Sequence, residues 1–114
     1  NYTSDPYEIL SSNKVIFPGV GDASYAMKKL KNQNLDKIIV DIKHPILGIC
    51  LGMQLLCKSS EEGDTKCLGV IDSDFKKFDN KNLKVPQIGW NNITELKSKI
   101  LQMAQIDALT LNKK

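Results

Sequence analysis

Apolar positions in this chain alternate between short unbroken runs and a three-to-four spacing, the patterns of buried strands and of amphipathic helices. Lys14-Val15-Ile16-Phe17 is an apolar run that ends in Pro18-Gly19-Val20-Gly21, which predicts a buried strand entering a tight glycine loop. Ala23, Ala26, Met27 and Leu30 then recur at helical spacing, with Asp22 or Ser24 available as the cap. Asn32-Gln33-Asn34 interrupts that helix. Leu35, Ile38, Ile39 and Ile42 give a second helical stripe, closed by His44-Pro45 because a residue before proline resists helical backbone angles. Ile46-Leu47-Gly48-Ile49 predicts a second buried strand, and Gly52 to Lys58 a helix packed through Met53, Leu55, Leu56 and Cys57.

Beyond this point the pattern is finer. Ser59 to Asp64 is a polar loop, Leu68-Gly69-Val70-Ile71 and Asp74 to Phe78 read as short strands, and Asp79 to Asn82 as a turn. Leu83 to Ile88 reads as a strand or extended segment leading to Gly89-Trp90-Asn91, and a last amphipathic helix is expected from Glu95 to about Ala104. Strands alternating with helices imply an α/β fold with a doubly wound, mostly parallel sheet, helices covering both faces.

At 114 residues the chain holds one domain at most. A hydrophobic share of 41% with 25% charged residues is that of an ordinary folded protein. The net charge of +3 is spread over lysine-rich helical surfaces, and the three Tyr, three Phe and one Trp are scattered. Nucleic-acid binding is therefore not expected, since it needs clustered cations with stacking aromatics. No apolar stretch reaches the ~20 residues of a membrane span. Three cysteines without a CxxC pair, beside a single histidine, fit neither a disulfide framework nor a zinc site. No metal or organic cofactor is expected, and a reducing cytoplasm is. The opening Asn1-Tyr2-Thr3-Ser4-Asp5-Pro6 has no initiator Met, so residues upstream are expected.

The sharpest chemical feature is Gly48-Ile49-Cys50-Leu51-Gly52-Met53-Gln54, a strand that ends in G-x-C-x-G as a helix begins. A nucleophile on a sharp strand-to-helix turn needs neighbours without bulk two positions either side, which glycine supplies. The new helix directs its free N–H groups and positive dipole end at the sulfur, the polarity that a thiolate nucleophile needs. As a pattern alone this fits a nucleophile elbow or a buried cysteine between two packing glycines about equally.

The stretch Gly48 to Leu55 resembles the nucleophile signature of the class I, triad-type glutamine amidotransferases. Two further motifs resemble one branch of that family, the glutaminase subunits of imidazole glycerol phosphate synthase. Pro18-Gly19-Val20-Gly21 is similar to their oxyanion loop, and Lys84 to Asn91 to their P-x-x-G-W-N segment. Ser59-Ser60-Glu61-Glu62-Gly63 fits their S-E-E-G stretch. The likeness runs over residues 3–94, with residues 95–114 unassigned. It implies a flavodoxin-like domain with its site at the carboxyl ends of the strands. By position, Cys50 is the nucleophile, and the backbone N–H groups of Leu51 and of Val20 or Gly21 form the oxyanion hole. Gly52, Gln54 and Glu62 hold the substrate glutamine, and Pro86, Trp90 and Asn91 dock on a (β/α)₈-barrel cyclase. Without the resemblance, Gln54 is a solvated helix residue, Glu62 a loop charge and Trp90 as readily a core residue.

One part of the family's machinery is missing. Such a cysteine needs a histidine base held by a glutamate, from an H-P-E segment far downstream. The single histidine, His44, precedes the strand that carries Cys50 and so is expected at the opposite edge of the sheet. The expectation is a partial domain, inactive alone, of a glutaminase that feeds ammonia to its partner in histidine biosynthesis. The alternatives are another class I amidotransferase, another cysteine-elbow enzyme, or an inactive fragment acting only as a binding module.

Overall fold

The computed structural model describes residues 1–82, 84–86, 88–90, 92 and 94–99. The chain divides into two compact units, Asn1–Asp79 and Asn80–Lys114. The first opens with helix α1 (Pro6–Ser11), strand β1 (Val15–Gly19), helices α2 (Ala23–Asn32) and α3 (Leu35–Asp41), strand β2 (Ile46–Cys50) and helix α4 (Leu51–Leu56). Strands β3 (Ser59–Ser60), β4 (Thr65–Lys66) and β5 (Asp74–Phe75) follow.

Helix α1 carries its own start signal, which the periodicity of apolar positions does not reveal. The Asp5 carboxylate accepts from the N–H of Tyr7 (2.7 Å) and of Glu8 (3.4 Å), and Pro6 occupies the first turn. Of the two candidate caps for α2, Asp22 is the one used, accepting from the Tyr25 N–H at 3.0 Å. Asn34, at φ 55°, turns the chain between α2 and α3. Helix α3 ends at Asp41, with Ile42 already out of helical conformation ahead of His44-Pro45.

Strands β1 and β2 pair in parallel, with Val15 opposite Ile46 and Gly19 opposite Cys50. The first strand thus continues through Pro18 and Gly19, which the sequence pattern places in the loop. Phe17, beside Val15 and Gly19 on one face of β1, packs into both clusters of the core. One cluster is built on Ala23, Met27, Leu51, Leu55 and Cys67, the other on Leu35, Ile39 and Leu56. The opposite face, with Ile16, Leu47 and Ile49, is exposed.

A second sheet has the order β4-β3-β5, antiparallel between β3 and β4 and parallel between β3 and β5. The polar loop expected over Ser59–Asp64 is thus the start and turn of a hairpin. The strand expected at Leu68–Ile71 does not form. The N–H groups of Leu68, Gly69 and Ile71 donate instead to the carbonyls of Leu55, Cys57 and Leu56, at 2.8–2.9 Å. The end of α4 leaves carbonyls without helical partners, and this segment satisfies them. Gly69, at φ 70°, makes the required turn. The strand expected over Asp74–Phe78 is confined to Asp74–Phe75.

In the second unit, no strand forms among the described residues of 83–88. Glu95 has φ 54°, so no helix starts there, and the second half of the helix expected to Ala104, residues 100–104, lies outside the described residues.

Candidate active site

Cys50 is the last residue of β2 and the residue before α4. Its backbone lies at φ 53°, ψ −117°, a conformation that a side chain on Cα disfavours. The helix begins one residue later, and the thiol is exposed. Both flanking glycines are forced by packing. A Cβ on Gly52 would stand 1.7 Å from the Phe17 carbonyl oxygen, because the start of α4 lies directly on β1. A Cβ on Gly48 would stand 2.7 Å from Cα of Met53 and 2.9 Å from Cδ1 of Leu56, because the helix folds back over its own strand. The sharp turn requires both glycines, and the reading of Cys50 as a buried packing residue is excluded by its exposure.

The register assembles the rest of this edge. With Gly19 opposite Cys50, the Val20-Gly21 loop and the start of α4 leave the sheet side by side. Val20 is exposed and Gly21 sits at φ 104°, in the left-handed region that glycine tolerates. As the first residue of α4, Leu51 has an N–H with no acceptor inside the helix. The glycine loop and the first N–H of α4 thus lie at the same edge of the sheet as Cys50. The sulfur makes no capping hydrogen bond to α4.

Gln54 lies one turn along α4 and is half-buried. Glu62 lies in the turn that joins β3 to β4. That turn rests on the first turn of α2, where a Cβ on Gly63 would stand 3.3 Å from Cβ of Ser24. Because α2 follows directly on the Val20-Gly21 loop, Glu62 is brought to the same edge as Cys50. The Ser24 hydroxyl and the Tyr25 N–H, in that order, hold the Asp22 carboxyl below the usual aspartate range. That carboxylate caps α2 and so fixes the end of the glycine loop.

The two neighbouring glutamates are not equivalent. The Glu61 carboxylate accepts from the Lys77 N–H at 2.7 Å, and its own N–H donates to the Phe75 carbonyl at 2.9 Å. Glu61 is thereby tied to the segment that continues β5. The Glu62 side chain is exposed and makes no hydrogen bond or ion pair among the described residues. Two hydroxyl residues to which the sequence pattern assigns no role, Ser60 and Thr65, bind the peptide groups of Glu62. Their position immediately either side of a four-residue turn is the signal that marks them.

His44 stands where the sequence predicts. It is half-buried at the start of β2, with Nε2 3.1 Å from the Ser12 hydroxyl. About 13 Å of strand separates that end of β2 from Cys50. Two concavities of about 480 and 640 Å³ lie among the described residues, one between α2, α3 and β4 and one between α1, β1 and α3. Cys50 lines neither of these two, and its thiol is exposed. The predicted docking residues belong to the second unit. Trp90 is fully exposed there, which excludes a core role among the described residues, and Pro86 follows a cis peptide bond. Asn91 lies outside the described residues.

A parallel strand pair with a cysteine elbow and glycine-loop donors at one edge defines a class, and comparison with known proteins agrees. The family model for class-I glutamine amidotransferases matches residues 2–110, and the chain belongs to that family, whose fold is flavodoxin-like α/β. Among curated proteins, it is 48% identical over 102 residues to "Imidazole glycerol phosphate synthase subunit HisH" of Bacteroides fragilis (strain YCH46), covering 88% of this chain and 52% of that protein. The protein of the same name from Bacteroides thetaiotaomicron is 46% identical with the same coverage. That from Idiomarina loihiensis is 43% identical over 91 residues, 80% of this chain and 46% of its own length. The chain spans about half the length of these relatives. No helix among the described residues is long and apolar enough to cross a membrane.

Proposed function

We propose that this chain is the nucleophile-bearing part of the glutaminase subunit of an imidazole glycerol phosphate synthase, which supplies ammonia to the cyclase subunit, in the cytoplasm and in histidine biosynthesis. The observation that carries the reading is Cys50 at φ 53° on a strand-to-helix turn whose flanking glycines admit no Cβ, with Gly19, at the head of the glycine loop, paired beside it. The names of the relatives favour this branch over other class I amidotransferases.

In this reading the Cys50 thiolate attacks the side-chain amide carbon of glutamine. The oxyanion that forms is held by the N–H groups of Leu51 and of Val20 or Gly21, donors already aimed before the charge develops. The tetrahedral species expels ammonia, protonated by a general acid, and leaves a thioester on Sγ. Water adds to the thioester, and glutamate departs as the thiol is regenerated. Gly52, Gln54 and Glu62 hold the glutamine. The ammonia passes to a (β/α)₈-barrel cyclase that docks through Pro86, Trp90 and Asn91. No cofactor enters. The general acid–base, a histidine oriented by a glutamate, comes from the length of the relatives that this chain does not span, because His44 is committed to Ser12 at the far edge.

The test is glutamine hydrolysis by the full-length gene product with its cyclase partner. Release of glutamate is expected, and its loss in Cys50→Ala. The 114-residue chain alone is expected to show none, since acid–base catalysis is typically worth ~10²–10⁴-fold. An active Cys50→Ala variant would remove the nucleophile from this account, and an inactive full-length complex the activity itself.

A further inference from the structure

Among the described residues, the two buried polar side chains are Ser60, 3% exposed, and Thr65, 8% exposed. They are partners across the β3–β4 pairing and close the four-residue turn 61–64. A buried hydroxyl is costly unless it is hydrogen-bonded. Here both hydroxyls spend their bonds on the same residue. The Ser60 Oγ accepts from the Glu62 N–H at 3.2 Å, and the Thr65 Oγ1 donates to the Glu62 carbonyl at 2.9 Å. The peptide groups on both sides of the Glu62 Cα are thereby fixed from beneath, while its carboxylate stands exposed above.

The rest of the turn tightens the same grip. Glu61 is held to the β5 side through Lys77 and Phe75, Gly63 rests on Ser24 at φ 67°, and Asp64 completes the turn at φ 45°. A glutamate in an ordinary surface turn samples many directions. This one has its backbone immobilised while its side chain is left without a partner among the described residues. That arrangement suits a carboxylate kept for a cationic group outside the fold, such as the α-ammonium of an amino acid.

We infer that Ser60 and Thr65 are positioning residues, which hold Glu62 so that its carboxylate meets the α-ammonium of the substrate glutamine. The inference rests on the glutaminase reading above. Its energetic effect belongs to substrate binding, because Glu62 touches no reacting atom. Loss of either hydroxyl should raise KM for glutamine more than it lowers kcat.

The experiment uses the full-length gene product with its cyclase partner. Thr65→Val keeps the shape and removes the donor, and is expected to raise KM for glutamine about three- to tenfold, the effect of one hydrogen bond. Thr65→Ser restores the donor and should bring KM back to within about twofold of the parent. In a Glu62→Gln background, whose own KM is raised, Thr65→Val should add no further rise. Ser60→Ala should act in the same sense as Thr65→Val, and serves should the valine variant fail to fold. A hydroxyl that only closes the hairpin would lower the melting temperature and leave KM unchanged, or raise KM equally with and without Glu62, and either result overturns the proposal. If the parent complex hydrolyses no glutamine, the glutaminase reading falls and this proposal with it. If the parent is active and KM stays unchanged in the variants, this proposal alone falls.

Discussion

Replacing Cys50 with glycine should stabilise the protein while abolishing any thiol chemistry. At φ 53°, ψ −117°, Cys50 occupies backbone space in which a Cβ is crowded and a glycine is at ease. Strain of this kind costs about 1–3 kcal/mol. Glycine returns about 0.5–1 kcal/mol of that through its greater freedom in the unfolded chain. Little packing is lost, because the Cys50 side chain is exposed, and glycine is accepted at the residue before a helix. The balance is a gain of roughly 0.5–2 kcal/mol, the strain relieved less the entropy returned. In a domain of 150–250 residues each kcal/mol moves the melting temperature by about 2–4 °C. Cys50→Ala is the control, since it also removes the thiol but keeps the Cβ and with it the strain. The assay is urea denaturation of the full-length gene product and of both variants, compared at constant m value. A Cys50→Gly variant no more stable than Cys50→Ala would refute the claim that the nucleophile's turn stores strain.

Gly52→Ala should be among the most damaging single-methyl additions in the chain, since its Cβ would meet the Phe17 carbonyl, which is backbone and cannot turn aside. A loss of about 3 kcal/mol or more by denaturant titration is expected, at or beyond the upper end for overpacking, and a fully stable variant would contradict the close seating of α4 on β1. Thiol labelling under native conditions should modify Cys50 ahead of Cys57 and Cys67, which are buried. Burial, and then the neighbouring Cys57, push the Cys67 thiol above its ordinary value, so raising the pH should bring Cys67 into reaction late. Peptide mapping by mass spectrometry reads the order, and early labelling of Cys67 would contradict its placement in the core. Trp90→Ala should leave the melting temperature of the isolated protein unchanged, because Trp90 is fully exposed. It should also weaken association with a cyclase partner by about 2 kcal/mol if Trp90 is a central anchor, measured by titration calorimetry. A collapsed melting temperature with intact association would make it structural.

Much of the site is written locally in the chain. Gly48 and Gly52 either side of Cys50, with an apolar run before and a helical stripe after, are enough to announce a sharp turn. The steric demand behind Gly48 is short-range, set by Met53 and Leu56 of the next helix, whereas that behind Gly52 comes from Phe17 of β1, distant in the chain. Helix α1 is not among the elements expected from the apolar pattern, and only a reading of the cap at Asp5 and Pro6 would find it, because its six residues are too few for a periodic stripe and none is buried. The amphipathic α2 and α3, separated at Asn34, follow their apolar spacing almost to the residue.

What the chain could not declare by itself depends on partners distant in sequence. The pairing of Gly19 with Cys50 brings the glycine loop beside the elbow, and register between parallel strands is set by the packing of α2 and α3 beneath them, not by any property of Pro18 or Gly19 alone. Leu68 to Ile71 has the composition of a strand, yet the unsatisfied carbonyls at the end of α4 claim its N–H groups, because those carbonyls must be paired when the helix end is packed. Glu61 and Glu62 are identical side chains in adjacent positions. Only the parallel pairing of β3 with β5 decides that one is bound to Lys77 and the other is left facing outward. Local spacing specifies elements because backbone sterics and apolar periodicity act over a few residues. Which carboxylate is free, and which donors flank the thiol, is settled by hydrogen-bond competition across the folded chain.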